Sequence, residues 1–336
     1  MFEKIFNLIN LQYFAADTSD RNVQVTTQTG SGKDMSPTMK TYFDTALLVN
    51  AREQHVFEQF TKKTPIKGNT AEWRKFNTFG NAEKLTEGVI PNGKDFGMTK
   101  LEATVNQFGM YTTISDRLEA ESYDDVMLGA SEEMGASMGN TQDELTRDIF
   151  ATGTVVMYGE KGGTAAASRS AITADHKLTC SLILKAKTWL VKHKAPKIDG
   201  LYTVIIHPSV AEDLIRDEEW KEFHKYNDTE PWKKGYVGEI YGCRVIEATN
   251  AQIVKEGASN TGVYLCYAMG EGAVGTIQPN GEDFRMILKD KSEIGGPLEQ
   301  WSTLGYKGCH GGRVLYQDRL VRLEVGSSYS AIDEAN

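Results

Sequence analysis

A histidine at the carboxyl end of an apolar run is a position where catalytic bases are often found. "LYTVIIHPSVAEDLIRDEEW" (residues 201–220) holds one, His207, followed by Pro208 and an acidic helical pattern. A base there needs partners. The other histidines are His55, His176, His193, His224 and His310, and they show neither metal-ligand spacing nor an H-E-x-x-H pattern. The geometric reading is stronger. Proline suits the first turn of a helix and pushes the preceding residue out of helical conformation. His207 or Ser209 then satisfies exposed helix N–H groups, and Glu212 and Asp213 complement the dipole.

Other groups with chemical potential lack context as well. Cys180, Cys243, Cys266 and Cys309 are far apart and form no C-x-x-C pair, so they read as reduced, buried thiols. Cys309 beside His310 in "GCHGGR" cannot form a dyad in a strand, where neighbours point to opposite faces. "GEGAVG" (270–275) sits between strand-like runs, with no helix to cradle a phosphate. The carboxylates of "RDEEW" and "DELTRD" read as solvated helix faces. No enzyme motif is present, and the residues indicate no metal and no cofactor.

The elements around these residues say more. Residues 1–16, "MFEKIFNLINLQYFAA", place Phe2, Ile5, Phe6, Ile9 and Tyr13 near one helical face. Glu3, Asn7 and Asn10 interrupt any secretory signal. The stretch reads as a packing segment. Residues 17–38 are polar and cannot bury enough surface to order themselves. A helix is expected over 37–60, with Ser36 as its cap. "TAEWRKFNTF" and "MTKLEATVNQFGMYTTIS" are strand-like. They predict a long hairpin over 68–114 with a loose tip around "IPNG". Two strands alone are marginal in water. Trp73, Phe76, Phe79, Leu101, Val105 and Phe108 therefore need cover from another surface.

A continuous helix is expected from Asp116 to Thr152, with Asp116 and Glu119 at its start and Gly153 at its end. Met127, Met134, Met138, Leu145 and Ile149 form its apolar stripe. Its internal glycines cost ~1 kcal/mol each relative to alanine, which packing must offset. Residues 154–175 read as a Gly/Ala/Ser-rich connection. A second helix is expected over 179–194, with Leu182, Ile183, Ala186, Trp189, Leu190 and His193 on one face. The remainder reads as strands at 202–206, 240–248, 263–268, 273–277, 284–289, 299–307 and 313–325, with one helix from 208 to about 219. That is an α+β pattern, with too few helices for a doubly wound sheet.

The totals agree with a large soluble body. The chain has 336 residues, 25% charged and 40% hydrophobic, and a net charge of −9. An acidic chain has no general electrostatic pull toward DNA or anionic membranes. No apolar run approaches the ~20 residues needed to cross a bilayer.

Several segments occur together in one order: "KLTEGVIPNGKDFGMTKLEATVNQFGMYTTISDRLE", "LGASEEMGASMGNTQDELTRDIFATGT", "YTVIIHPSVAEDLIRDEEWKEFHKY", "GEIYGCRVIEAT" and "LEQWSTLGYKGCHGGRVLYQDRLVRLEV". The series resembles the major capsid proteins of tailed double-stranded-DNA phages, in the branch of the coliphage N-four coat protein. "NLQYFA" near the start is similar to the opening of many phage coat proteins. The resemblance covers about residues 60 to 325. It implies the Hong Kong 97-type shell fold. Residues 1–60 would be the N-terminal arm and helix, and 61–114 the extended E-loop hairpin. Residues 115–175 would be the P-domain with its spine helix, and 176–298 the A-domain. Residues 299–336 would return as strands to the P-domain.

It also implies self-assembly into hexamers and pentamers of an icosahedral head around DNA, in a virion assembled in the host cytoplasm. Scaffolding, decoration and portal proteins would be the other partners. Some phages of this fold cross-link loop lysines; Lys75, Lys84, Lys94 and Lys100 lie in the hairpin, and no cross-link is expected. An encapsulin-like nanocompartment shell and a hydrolase using His207 are the alternatives.

Overall fold

Continuous apolar runs such as "VYLCYAM" need cover on both faces, and the architecture supplies it. The computed structural model describes residues 55–336 except 67, 78, 83, 86, 89, 91–92, 123–124, 225–235, 280–283, 295–297 and 331. All described residues belong to one unit, Ala51–Asn336. The expectations for residues 1–16, the polar arm and most of the 37–60 helix lie outside them. The last residues of that helix instead form a 3-10 turn, Phe57–Phe60.

In chain order the first strands are β1 (Lys62–Ile66), β2 (Thr70–Phe76), β3 (Met98–Thr104) and β4 (Asn106–Ser115). Helices α1 (Asp116–Glu121) and α2 (Val126–Ala151) follow, then β5 (Val156–Tyr158), β6 (Glu160–Lys161) and β7 (Thr164–Ala165). Next come α3 (Cys180–Lys192), β8 (Tyr202–Ile206), α4 (Pro208–Ile215) and α5 (Glu218–His224). The chain continues through β9 (Tyr236–Ile240), β10 (Cys243–Glu247), β11 (Ile253–Val254), β12 (Val263–Met269), β13 (Val274–Pro279) and β14 (Arg285–Lys289). Then follow α6 (Lys291–Ile294), β15 (Trp301–His310), β16 (Gly312–Val314) and β17 (Leu320–Val325).

A mixed seven-stranded sheet, ordered β5-β17-β12-β8-β10-β9 with β11 beside β12, forms the centre. Its strand residues alternate between two cores. Tyr264, Cys266 and Ala268 of β12 and Val204 and Ile206 of β8 face α3 and α4. Leu265, Tyr267, Met269 and Ile205 face the other way, onto Phe57, Phe150 and Val314. Phe57, Phe150 and Tyr267 meet as an aromatic triad with ring centroids 5.6–5.8 Å apart.

Four smaller sheets accompany this body among the described residues: β1-β13-β16, β14-β15-β4, the hairpin β2-β3 and the short pair β6-β7. The second packs on α2, where Met134 meets Leu304 and Tyr306. Gly308 makes that packing possible: a Cβ there would lie 2.3 Å from the Phe284 ring. β14 pairs with β15 across the boundary expected between 298 and 299. β17 joins the central sheet between β12 and β5.

Five expectations need correction. The hairpin pairs over Thr70–Phe76 and Met98–Thr104; beyond Val105 the chain enters a different sheet, where β4 pairs along β15 from Asn106 to Ser115. The 116–152 helix is two helices. Ser115 caps the first, accepting from Leu118 N–H, and Ser122 takes an extended conformation. Asp125 caps the second, accepting from Leu128 N–H at 3.0 Å. The 26-residue α2 is therefore about 39 Å long. Its buried residues are Met134, Asp143, Thr146, Arg147 and Phe150, so the inward face follows Phe150 and three polar groups rather than Leu145. Finally, the 313–325 strand is two strands separated by a 3-10 turn at Gln317–Arg319. The "connection" at 154–175 contributes a strand, β5, parallel to β17.

Buried polar groups on α2 tie the turn at Phe57 to the body. Asp143 Oδ1 accepts from the backbone N–H of Phe57 at 2.8 Å and of Glu58 at 3.3 Å. Burial pushes the Asp143 carboxyl up, against these hydrogen bonds and that from Asn250. Arg147 donates to the Asn250 carbonyl at 3.1 Å.

Candidate assembly surfaces

The His207 corner is a helix cap. His207 is the N-cap of α4, and its Nδ1 accepts from the Ser209 backbone N–H at 3.2 Å. Ser209 Oγ donates to Asp333 Oδ2 at 2.5 Å, and Tyr264 Oη donates to the same oxygen at 2.6 Å. A serine nucleophile needs its proton held by the imidazole. Here the carboxylate holds it, and the imidazole nitrogen is engaged by backbone. Burial lowers the His207 pKa, against the pull of Asp333, so the ring is held neutral. These bonds also fasten the carboxyl-terminal segment to α4, alongside Asp213, which accepts from Ser327, Ser328 and Lys177.

Cys180, Asp217 and Glu219 place their ligand atoms within 4.8 Å of one another. The Asp217 carboxylate already accepts from the Cys180 N–H at the start of α3. Burial and the neighbouring carboxylates push the Cys180 thiol well up. The group forms the start of α3, where Asp217 satisfies a free helix N–H. Among the other cysteines, Cys243 and Cys266 are buried and Cys309 is half-buried; all four are free thiols.

The hairpin is where apolar surface lacks cover. Trp73 lies opposite Leu101 in the β2-β3 register. Both are half-buried, and Trp73 Nε1 donates to Thr64 Oγ1 at 3.3 Å. Val105 is half-buried at the exit, donating its N–H to the Asn69 carbonyl. Phe108 belongs to β4, not to the hairpin. Phe76 and Phe79 are 59% and 60% exposed. Both stack on Phe96, which is 58% exposed, with centroids 4.9 and 5.1 Å away. Phe96 was not among the expected residues because "GKDFG" reads as a loose tip. Leu85, Ile90 and Met98 add to the exposed apolar surface of this arm.

A second uncovered face belongs to the β14-β15-β4 sheet. Tyr111 and Trp301 are exposed there, while Met110, Met286 and Leu288, in register with Tyr306 and Leu304, lie exposed on the α2 side of the sheet. A depression of about 410 Å³ lies between Phe108, Tyr111 and Ile287. Patches of this kind mark interaction surfaces. A third feature is a cleft of about 640 Å³ where the hairpin leaves the body, lined by Phe60, Trp73, Lys75, Tyr316 and Arg319 among others. No helix among the described residues is long and apolar enough to cross a membrane.

Comparison with known proteins bears on these surfaces. The family described as phage capsid protein matches residues 99–293, more than half of the chain. The capsid of cyanophage P-SCSP1u aligns at 17% identity with a TM-score of 0.69, covering 93% of this chain and 100% of that one. The capsid of cyanophage Pam1 gives 14% identity and a TM-score of 0.68, covering 89% and 98%. The mature capsid of bacteriophage PhiM1 gives 12% and 0.64, covering 92% and 99%. No curated protein matches the chain by sequence. At such identities the structural likeness speaks to fold, which is the α+β, Hong Kong 97-type fold of phage capsids.

Proposed function

This chain belongs to the phage capsid protein family, and from that membership we propose how it builds an icosahedral shell. Copies associate as hexamers and pentamers that close around double-stranded DNA. The hairpin within 61–114 acts as the E-loop and lies over a neighbouring copy. Residues 115–175, with α2 as spine, act as the P-domain together with the β14-β15-β4 sheet. The rest of 176–298 acts as the A-domain, into whose sheet β17 inserts. The observation that carries this reading is the Phe76–Phe96–Phe79 stack on a two-stranded arm. Such an arm buries too little of its own surface, and a symmetric lattice of identical copies supplies the cover.

Trp73, Phe76, Phe79, Leu101 and Val105 are proposed contacts of the arm, and Phe108 a contact of the β4 face. The net charge of −9 suits a container that encloses DNA without gripping it. Assembly takes place in the host cytoplasm, with scaffolding, decoration and portal proteins as the other partners. Electron microscopy of the purified chain tests this reading. Closed particles with local five- and six-fold clusters are expected. A monodisperse monomer at every concentration, salt and pH tested would overturn it.

A further inference from the structure

The cleft between hairpin and body gathers Lys62, Arg74, Lys75 and Arg319 against a single lining carboxylate, Glu271. Lys75 Nζ lies 4.6 Å from the centroid of the Tyr316 ring, and Arg319 Cζ lies 3.9 Å from the same centroid. Two like charges are thus held on one aromatic ring. Lys62 lines the same cleft. Among the described residues, no carboxylate pairs with Lys62, Lys75 or Arg319; the Arg319 guanidinium donates to the Glu271 backbone carbonyl at 3.2 Å. Arg74 differs, since Glu72 neutralises it. Unpaired cations gathered in a concavity focus the local field on an incoming anion.

The walls narrow the choice of anion. Phe60, Trp73, Leu101, Ile198 and Leu315 give the cleft an apolar lining beside its charges. A bare phosphate backbone does not use that lining, whereas a peptide with an acidic group and an apolar flank uses both. The chain itself has 46 acidic against 37 basic residues, so every sister copy offers surplus carboxylates. The geometry points to this cleft as the receptor for a carboxylate-bearing segment of a second copy of the chain. Its inference rests on the shell reading above and deepens it. The cleft takes Trp73, Lys75 and Leu101 from the hairpin, and Tyr316 and Arg319 from the body. A docked segment therefore touches both and fixes the angle at which the hairpin leaves. Hairpin orientation is thereby coupled to the arrival of a neighbour.

Zero-length carbodiimide coupling in particles assembled from mixed unlabelled and nitrogen-15-labelled full-length chains tests this. Electron microscopy first establishes that particles are present. Mass spectrometry should then find amide links from Lys62 or Lys75 to an Asp or Glu, with the mixed-isotope pairs that arise between copies. The links should disappear for Lys75 in Lys75→Gln, and those at Lys62 should persist. Links within a single copy alone would overturn the proposal, because the cleft would then be closed by its own chain. So would links to a different protein, or lysines unlinked in empty particles and protected only in DNA-filled ones. Absence of particles would instead sink the shell reading, and this proposal with it.

Discussion

Strand β12, "VYLCYAM", is apolar throughout, whereas the hairpin strands "TAEWRKF" and "MTKLEAT" alternate apolar with polar residues, and their fates differ. Every residue of Val263–Met269 is buried, with alternate side chains shared between two cores. Along Thr70–Phe76 only Ala71 is buried, and along Met98–Thr104 no residue is. What flanks each strand differs with it. β12 has β17 on one side, β8 and β11 on the other, and helices or aromatic rings above and below. The hairpin strands have each other. A strand whose apolar residues alternate with Lys, Arg and Glu is already solvated on one face, and its other face awaits a partner outside the subunit. The body thus supplies stability, and the arm supplies association.

That contrast makes graded predictions. Phe150→Ala strikes the body, emptying the space between Phe57 and Tyr267, and should cost the free subunit about 3–5 kcal/mol in denaturant titration. A loss under 1 kcal/mol would show that the body does not depend on this core. Asp143→Ala leaves the buried N–H of Phe57 without an acceptor and should cost about 1–3 kcal/mol. Its effect should exceed that of Glu144→Ala on the exposed side of the same helix; equal effects would remove the carboxylate from the account. Trp73→Ala, half-buried with one hydrogen bond, should cost about 1 kcal/mol and impair particle formation.

Phe96→Ala should change subunit stability by no more than about 0.5 kcal/mol while sharply lowering particle yield. A drop in melting temperature matching that of Phe150→Ala would mean that the arm belongs to the core. The smallest effect concerns pH. The native state keeps His207 neutral below its ordinary value of 6.5, whereas the unfolded chain takes up a proton there. Stability from this group is present above pH 6.5 and is lost as pH falls through the lowered native value. His207→Asn should therefore lose less stability than the parent between pH 7.5 and 5.5; identical losses would deny the ring its buried, neutral state.

What could be read from sequence was local. The amphipathic face of α3, the His207-Pro208 corner and the uninterrupted apolar runs of β8 and β12 announce themselves within a few residues. The halt at Ser122 did not, because "AESYDDV" keeps helical spacing and holds neither glycine nor proline. β5 hid in a Gly/Ala/Ser-rich stretch, since its strand character comes from pairing with β17 more than 160 residues away. The transfer of β4 from hairpin to sheet likewise depends on a distant partner, β15. The uncovered arm was legible as a shortage of core, and Trp73, Phe76, Phe79 and Leu101 were named for it. The stacking of Phe96 and the unpaired cations around Tyr316 were not, because both arise from residues brought together across loops.

A side-chain-resolution reconstruction of assembled particles tests the central claim most directly, by locating residues 76, 79 and 96. The account predicts that the three phenylalanine rings lie buried against a neighbouring copy, with the β2-β3 register unchanged. Rings packed onto their own subunit's body, or left facing solvent in a closed shell, would contradict it.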